Sequence, residues 1–323
     1  MLHSWMDLRV AARREEAVDV IVLELMDPEQ RELPPFSAGS HVDIETAPGM
    51  VRQYSLCNRP SERNRYVIGA LREPQSRGGS IWIHDTFHVG VDVKVSEPRN
   101  HFALEPRAGQ VLLLAGGIGV TPILCMAHRL SETGAAFVMH YCARSAERAA
   151  FLKDIQASEF AGRVKIHFDD GPAEQRLDVE AAVAGWTLDA HLYVCGPAGF
   201  IDWVLAAARA AGWTEANLHR EYFTPPEAPD AAGGEKAFQI RLASTGQVFD
   251  IPADESVANV LTEAGIEVPV SCEQGVCGSC ITRILEGAPD HRDFYFTDEE
   301  KARNDQFTPC CSRSLTPILV LDL

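Results

Sequence analysis

At 323 residues the chain exceeds what one hydrophobic core usually serves, so two or three domains are expected. Its net charge of -17 speaks against nucleic acid, because phosphate recognition needs clustered Lys and Arg. No apolar run approaches the roughly twenty residues that span a bilayer, so no membrane partner is expected either. The acidity suits plain solubility and a basic protein partner equally well, and it is densest in 236–323, with 7 basic and 14 acidic residues. Met1 to Glu16 is mixed polar and charged, unlike a secretory leader. Four of the nine cysteines, Cys57, Cys125, Cys142 and Cys195, sit in apolar contexts and read as reduced core residues, which fits a cytoplasmic protein.

Residues 1–106 carry short strand-like runs at Val18 to Met26, His41 to Thr46, Val51 to Cys57, Tyr66 to Leu71 and Val91 to Ser96. Gly, Pro and Asn turns separate them, the texture of a small antiparallel barrel. Arg52-Gln53-Tyr54-Ser55 lies on one of these runs and has the R-x-Y-S form of flavin-binding reductase barrels. Alternate strand residues share a face, so Arg52 can hold a phosphate while Tyr54 packs on a ring system. An ordinary surface strand could carry the same tetrapeptide. Arg77-Gly78-Gly79-Ser80 opens a helix-like stretch from Ser80 to Phe87, and N–H groups at a helix start attract anions. No basic or aromatic segment reaches for an adenosine moiety, so FMN is expected over FAD.

From 107 to 224 apolar strands at Val111 to Ala115, Ala136 to Tyr141, Val164 to Phe168 and His191 to Cys195 alternate with helix patterns. The helices are expected at Pro122 to Leu130, Glu147 to Ala157 and Gly199 to Ala211, the signature of a parallel sheet covered on both faces. Gly116-Gly117-Ile118-Gly119-Val120-Thr121-Pro122 follows a strand and opens a helix, where glycines let the backbone approach a pyrophosphate. It departs from G-x-G-x-x-G, since Thr121-Pro122 stands where the third glycine would come. Cys195-Gly196-Pro197 ends another strand at the same sheet edge. There Cys195 either faces a nicotinamide or is simply small enough to sit beside one. Arg144 and Ser145 end the second strand, where a nucleotide ribose is recognised, and could accept a 2'-phosphate.

Residues 225–235 repeat Pro and Gly without a core pattern and read as a linker. In 236–323 a hairpin is expected from Ala237 to Ile251 and a helix from Ser256 to Ala264. Strands at Ile281 to Leu285 and Ile318 to Leu321 follow, with a helical turn near Thr297 to Arg303. Cys272, Cys277 and Cys280 have the C-x4-C-x2-C spacing of a plant-type 2Fe-2S cluster. Gly275, Gly278 and Ser279 let that loop wrap closely. The tail Cys310-Cys311-Ser312-Arg313 offers two candidates for the fourth thiolate. Zinc sites usually show two C-x2-C or C/H pairs, and only one such pair is present.

Taken together, Arg52 to Ser55, Gly116 to Pro122, Cys195 to Pro197 and the cysteine loop resemble the phthalate dioxygenase reductase family over essentially the whole chain. The resemblance implies a flavin barrel, a pyridine-nucleotide α/β domain and a β-grasp plant-type ferredoxin domain. It places Arg52, Tyr54, Ser55, Gly79 and Ser80 on FMN, with Thr121 and Phe223 near the ring. It also places the last cluster ligand at Cys310, because the ligand precedes a residue-Ser-Arg sequence, and it implies NADH rather than NADPH.

NADH surrenders two electrons as hydride, whereas an iron–sulfur cluster accepts one at a time, and flavin does both. No side chain need act as acid or base, so no catalytic dyad is assigned. The chain lacks a C-x-H pair joined to a C-x2-H pair, and Cys125-Met126-Ala127-His128 reads as helix core. The electron acceptor is therefore expected to be a separate protein, by resemblance the Rieske-type terminal oxygenase or demethylase. Two rivals are a free flavin or quinone reductase and a non-enzymatic ferredoxin-type carrier or redox sensor. The complete cysteine loop disfavours the first, and the flavin and nucleotide motifs disfavour the second.

Overall fold

The computed structural model describes residues 5–47, 50–73, 78–106, 108–225 and 236–323. They belong to two compact units, Met1–Glu221 and Tyr222–Leu323. Arg77 and most of the expected linker lie outside the described residues.

The first unit begins with β1 (Trp5–Ala17), β2 (Val20–Met26), β3 (Ser40–Ala47), β4 (Met50–Ser55), β5 (Tyr66–Leu71), α1 (Gly79–Thr86), β6 (Asp92–Ser96) and β7 (Arg99–Asn100). The strands pair in the order β4-β3-β6-β1-β2-β5, with β7 on β3. An antiparallel bridge between Leu56 and Ile68 joins the two outer strands and closes the barrel, which removes free edges. Val10, Leu23, Ile44 and Ile68 fill its interior. Strand β1 is absent from the sequence reading because only Leu8 and Val10 of its 13 residues are buried. Backbone pairing to β2 and β6, not an apolar pattern, makes it a strand.

The second sheet comprises β8 (Gln110–Gly116), α2 (Val120–Thr133), β9 (Ala136–Ala143), α3 (Leu152–Ala157), β10 (Val164–Phe168), α4 (Val179–Val183), β11 (Ala190–Gly196), α5 (Ala198–Ala210) and β12 (Leu218–Tyr222). Its order is β10-β9-β8-β11-β12, and β8 runs parallel to β9 and β11. The chain winds outward from β8 in one direction and then in the other. The loops after β8 and β11 therefore flank a switch-point crevice. The helix expected from Glu147 is interrupted: helix α3 starts only at Leu152, and Phe151 has φ 60. Ala149, Ala150 and Phe151 are pulled into a core cluster that contains both barrel-side residues (Val20, Cys57, Phe102) and residues of the second sheet (Leu113, Met139, Tyr141). Tertiary packing here overrides a helical pattern, and the shared cluster makes barrel and sheet one unit. Among the described residues no helix is long and apolar enough to cross a membrane.

The second unit contains β13 (Phe238–Leu242), β14 (Val248–Ile251), α6 (Val257–Glu263), β15 (Thr282–Glu286), β16 (Pro289–Asp290), α7 (Asp298–Arg303), β17 (Gln306–Phe307), β18 (Arg313–Ser314) and β19 (Ile318–Leu321). The main sheet is ordered β14-β13-β19-β15-β17, mixed because β13 and β19 run parallel. Helix α6 lays Val257, Ala258 and Leu261 against it, and Ser256 Oγ caps the helix by accepting from Asn259 N–H at 3.1 Å. A capping box joins Thr297 and Glu300 at the start of α7.

Arg313 is the polar pin of this unit. Its guanidinium donates to the carbonyls of Glu255 (2.8 Å), Pro252 (2.7 Å) and Lys236 (3.1 Å) and lies 5.1 Å from the centre of the Phe238 ring. Replacing it with leucine leaves three carbonyls without their donor. Arg313→Leu is expected to cost the second unit about 3 kcal/mol, read as a lower urea midpoint for its transition.

Candidate functional site

The cysteine loop lies between α6 and β15. Gln274 N–H donates to Cys272 Sγ at 3.3 Å and Ser279 N–H to Cys277 Sγ at 3.5 Å, the amide-to-sulfur bonds a thiolate cluster requires. Two glycines shape it. Gly275 has φ +72, and a Cβ built there would stand 2.5 Å from Cys311 Sγ and 3.0 Å from Asp293 Cα. Gly278 has φ +70, with the Tyr295 ring 2.5 Å from the equivalent point. Neither position admits a side chain.

The Cys310 thiol interacts with the thiols of Cys272, Cys280 and Cys311, and that of Cys272 with Cys277, so the side chains share one neighbourhood. Cys311 Sγ instead turns towards Thr308 Oγ1 (3.3 Å) and the bare backbone of Gly275. No three His, Cys, Asp or Glu side chains among the described residues close round a single metal ion. The fit of a two-iron cluster rests on the thiols' shared neighbourhood, the sulfur-directed amides and the glycine cradle. Ser312 and Arg313 explain the tail: Ser312 Oγ meets Thr308 Oγ1 at 2.8 Å and accepts from Arg292 N–H at 3.1 Å.

In the first unit the loops after β8 and β11 meet. A Cβ at Gly119 would stand 2.3 Å from the Cys195 carbonyl oxygen, and Gly196 lies against the Gly116 backbone. The Phe200 ring covers Gly116, with Pro197 beside it. Gly117 has φ +54 and faces open space. Thr121 is buried, donates to the Ile118 carbonyl at 3.0 Å, and sets its methyl against Gly69 of barrel strand β5. The threonine that replaces a third glycine thus joins nucleotide loop to barrel.

On β4, Arg52 and Tyr54 share a face opposite Ile44 and Val42, while Ser55 is buried across from His41. The Arg52 stem runs over Gly79, where a Cβ would stand 2.9 Å from Arg52 Cγ. Helix α1 starts there, with Gly78 in the left-handed region and no acidic residue in its first turn. Ser80 Oγ accepts from Glu73 N–H at 3.1 Å, fixing the approach to that helix start. Burial pushes the Tyr54 phenol above its ordinary range, and Arg52 partly opposes this. Arg52, Gly79 and Ser80 therefore form an anion-compatible corner beside an aromatic face. Arg144 is exposed at the end of β9 and Ser145 begins the following turn. Phe223 falls in the second unit and is 38% exposed.

Residues 240–315 match the model of the 2Fe-2S iron-sulfur cluster binding domain. The chain is 52% identical over 314 residues to vanillate O-demethylase oxidoreductase of Pseudomonas sp. (strain HR199 / DSM 7063), covering 97% of this chain and 98% of that one. The solved structure of phthalate dioxygenase reductase, described as modular for electron transfer from pyridine nucleotides to 2Fe-2S, matches with TM-score 0.74 and 39% identity, over 99% of this chain and 98% of that one. An intact type IV self-sufficient cytochrome P450 monooxygenase matches with TM-score 0.88 and 34% identity over 99% of this chain, which spans 41% of that longer protein. The chain belongs to the phthalate dioxygenase reductase family. It is a flavin and iron–sulfur oxidoreductase, the reductase component of a multicomponent oxygenase system.

The structure of this reductase adds residues that the sequence reading missed. Asp169 and Asp170 follow β10 and donate their backbone N–H groups to the carbonyls of Ala143 and Arg144, both at 3.1 Å, which sets two acidic residues beside Arg144. The pair Asp169-Asp170 after an apolar strand was a signal available in sequence. Glu221, on β12, was not legible, because only the β11–β12 neighbourhood brings it to Cys195. Among the described residues its Oε2 is buried without a hydrogen-bond partner, and burial pushes the carboxyl up to about 8. Burial and Glu221 together hold the Cys195 thiol well above its ordinary value. Among the other core cysteines, Cys57 and Cys125 are buried but Cys142 is only partly so.

Two outcomes follow for the reductase. Gly278→Ala, forced against Tyr295 at positive φ, should fold its first unit normally yet purify with a small fraction of the parent's iron and acid-labile sulfide. For Glu221 the folded chain favours the neutral acid. Its contribution to stability is therefore full below the ordinary carboxylate range and is lost as pH rises through about 8. Glu221→Gln should melt higher than the parent at pH 8.5, and thermal denaturation should show the gap closing towards pH 5.

Proposed function

We propose that this reductase takes hydride from NADH on FMN and passes electrons singly through its 2Fe-2S cluster to a Rieske-type terminal oxygenase or demethylase. Flavin supplies the conversion between an electron pair and single electrons. Arg52, Gly79 and Ser80 would hold the flavin phosphate, while Tyr54, Ser55 and Thr121 border the ring, with Phe223 added by the family resemblance. FMN is favoured over FAD because the anion corner at α1 matches a terminal phosphate, and no basic or aromatic segment for an adenosine was found in the sequence.

Gly116, Gly117, Gly119, Cys195, Gly196 and Pro197 would receive the dinucleotide, with Arg144 and Ser145 at its ribose. The acidic residues Asp169 and Asp170 next to Arg144 support NADH, because a carboxylate suits ribose hydroxyls and repels a 2'-phosphate. Cys272, Cys277, Cys280 and Cys310 are assigned as the cluster ligands. A cytoplasmic location belongs to the same proposal. The relative named for vanillate O-demethylation makes a methoxylated aromatic acid the first substrate to try with candidate partner oxygenases.

The observation that carries the reading is the presence in one chain of a nucleotide crevice joined to a barrel and a separate cradle of converging thiols. A carrier has no use for the first, and a simple flavin reductase has no use for the second. Cys277→Ser should abolish NADH-driven reduction of cytochrome c, measured at steady state. Stopped-flow bleaching of the flavin by NADH should stay within about threefold of the parent, a change of less than 1 kcal/mol in barrier. Parallel loss of both rates in a folded, flavin-loaded variant would refute the proposed order of carriers.

A further inference from the structure

The cluster loop is packed against a segment that no part of the electron-transfer scheme uses. Asp293 is 2% exposed, and its Cα and Cβ stand 3.0 and 3.1 Å from the point where Gly275 would carry a Cβ. The next residue, Phe294, donates its N–H to the Gly275 carbonyl at 3.0 Å, and the Tyr295 ring lies over Gly278. The chain thus touches both glycines that flank Cys277. A buried carboxylate is expensive unless it is paired. This one accepts from Phe296 N–H at 2.8 Å and faces His291 Nδ1 at 3.3 Å, and Lys301 Nζ stands 4.0 Å from Oδ2 and donates to the Asp293 carbonyl at 2.6 Å. The capping box at Thr297 starts the helix that delivers Lys301 to this position.

We propose that Asp293 and Lys301 are positioning residues that set the reduction potential of the cluster by opposing charges held against its loop. The proposal rests on the assignment of a 2Fe-2S cluster to the four thiols. Reduction adds one electron to the cluster, so a buried negative charge nearby disfavours the reduced state and a cation nearby favours it. The charges act across protein rather than across solvent. Their effect is therefore screened less than that of surface residues.

The test uses the full-length, cofactor-loaded protein and follows cluster absorbance and electron paramagnetic resonance during a redox titration. Asp293→Asn keeps the shape and the acceptor for Phe296 while removing the charge. It should raise the potential by about tenfold in the reduction equilibrium, or about 59 mV for one electron. Lys301→Met removes the partly exposed cation and should move the potential the other way, with the four-cysteine resonance signal kept in both variants. Opposite shifts would not arise from loosened packing, which acts without regard to sign. Potentials equal to the parent's, or shifts in one common direction, would overturn the proposal. Should Asp293→Asn fail to retain its cluster, Lys301→Met alone still decides, because an unchanged or raised potential contradicts it. A parent protein that lacks iron–sulfur absorption would instead refute the electron-transfer reading itself.

Discussion

Close approach of bare backbone is the constraint on which the rest of this molecule depends. At Gly119, Gly275 and Gly278 the atom a side chain would add falls within 2.6 Å of an opposing group, and that group comes from a distant part of the chain. Gly119 meets the end of β11, Gly275 meets both Cys311 and Asp293, and Gly278 meets Tyr295. Protein interiors tolerate almost no overlap, so each of these contacts requires glycine and locks two segments together. The loops that would receive nucleotide and cluster are therefore shaped by what presses on them from behind.

A second physical theme is separation of tasks between the two units. The first unit buries one apolar cluster across barrel and parallel sheet, and the Thr121 methyl reaches Gly69 of the barrel. Hydride transfer needs that rigidity, because donor and acceptor must be held at contact distance. The second unit has its own core around Ile240, Leu261 and Phe307, and its polar pin, Arg313, donates to the carbonyls of Lys236, Pro252 and Glu255 in the same unit. Single-electron transfer makes no comparable demand on bonded geometry. A small, independently packed carrier unit is consistent with that requirement.

The electrostatics are uneven in an instructive way. Several ion pairs among the described residues are exposed, such as Arg9 with Asp92 at 2.7 Å and Arg209 with Glu215 at 2.6 Å, and pairs of that kind contribute little. Buried acids are costlier: Asp43 is paired with Arg99, Asp293 lies against the cluster loop, and Glu221, whose Oε2 is buried near Cys195, is held towards its neutral form. Asp293 and Glu221 sit next to residues expected to serve redox groups.

Much of this was readable from the chain alone. The cysteine spacing, the Arg52 to Ser55 strand, the glycine loop before α2 and the alternation of strands and helices are local patterns, and local patterns survive in one dimension. Strand β1 was not readable, since its outward face is polar and its pairing is with β2 and β6. The break before α3 was hidden because the pull on Phe151 comes from a cluster shared by the barrel and the parallel sheet. The sequence by itself determined the family, the three sheet types and the chemistry of carriers, because each needs particular residues at fixed spacing. Only the tertiary structure decided that Cys311 Sγ and Asp293 press on Gly275, that Tyr295 covers Gly278, and that Glu221 raises the Cys195 thiol. Those are contacts between residues far apart in the chain, and their direction is set by packing.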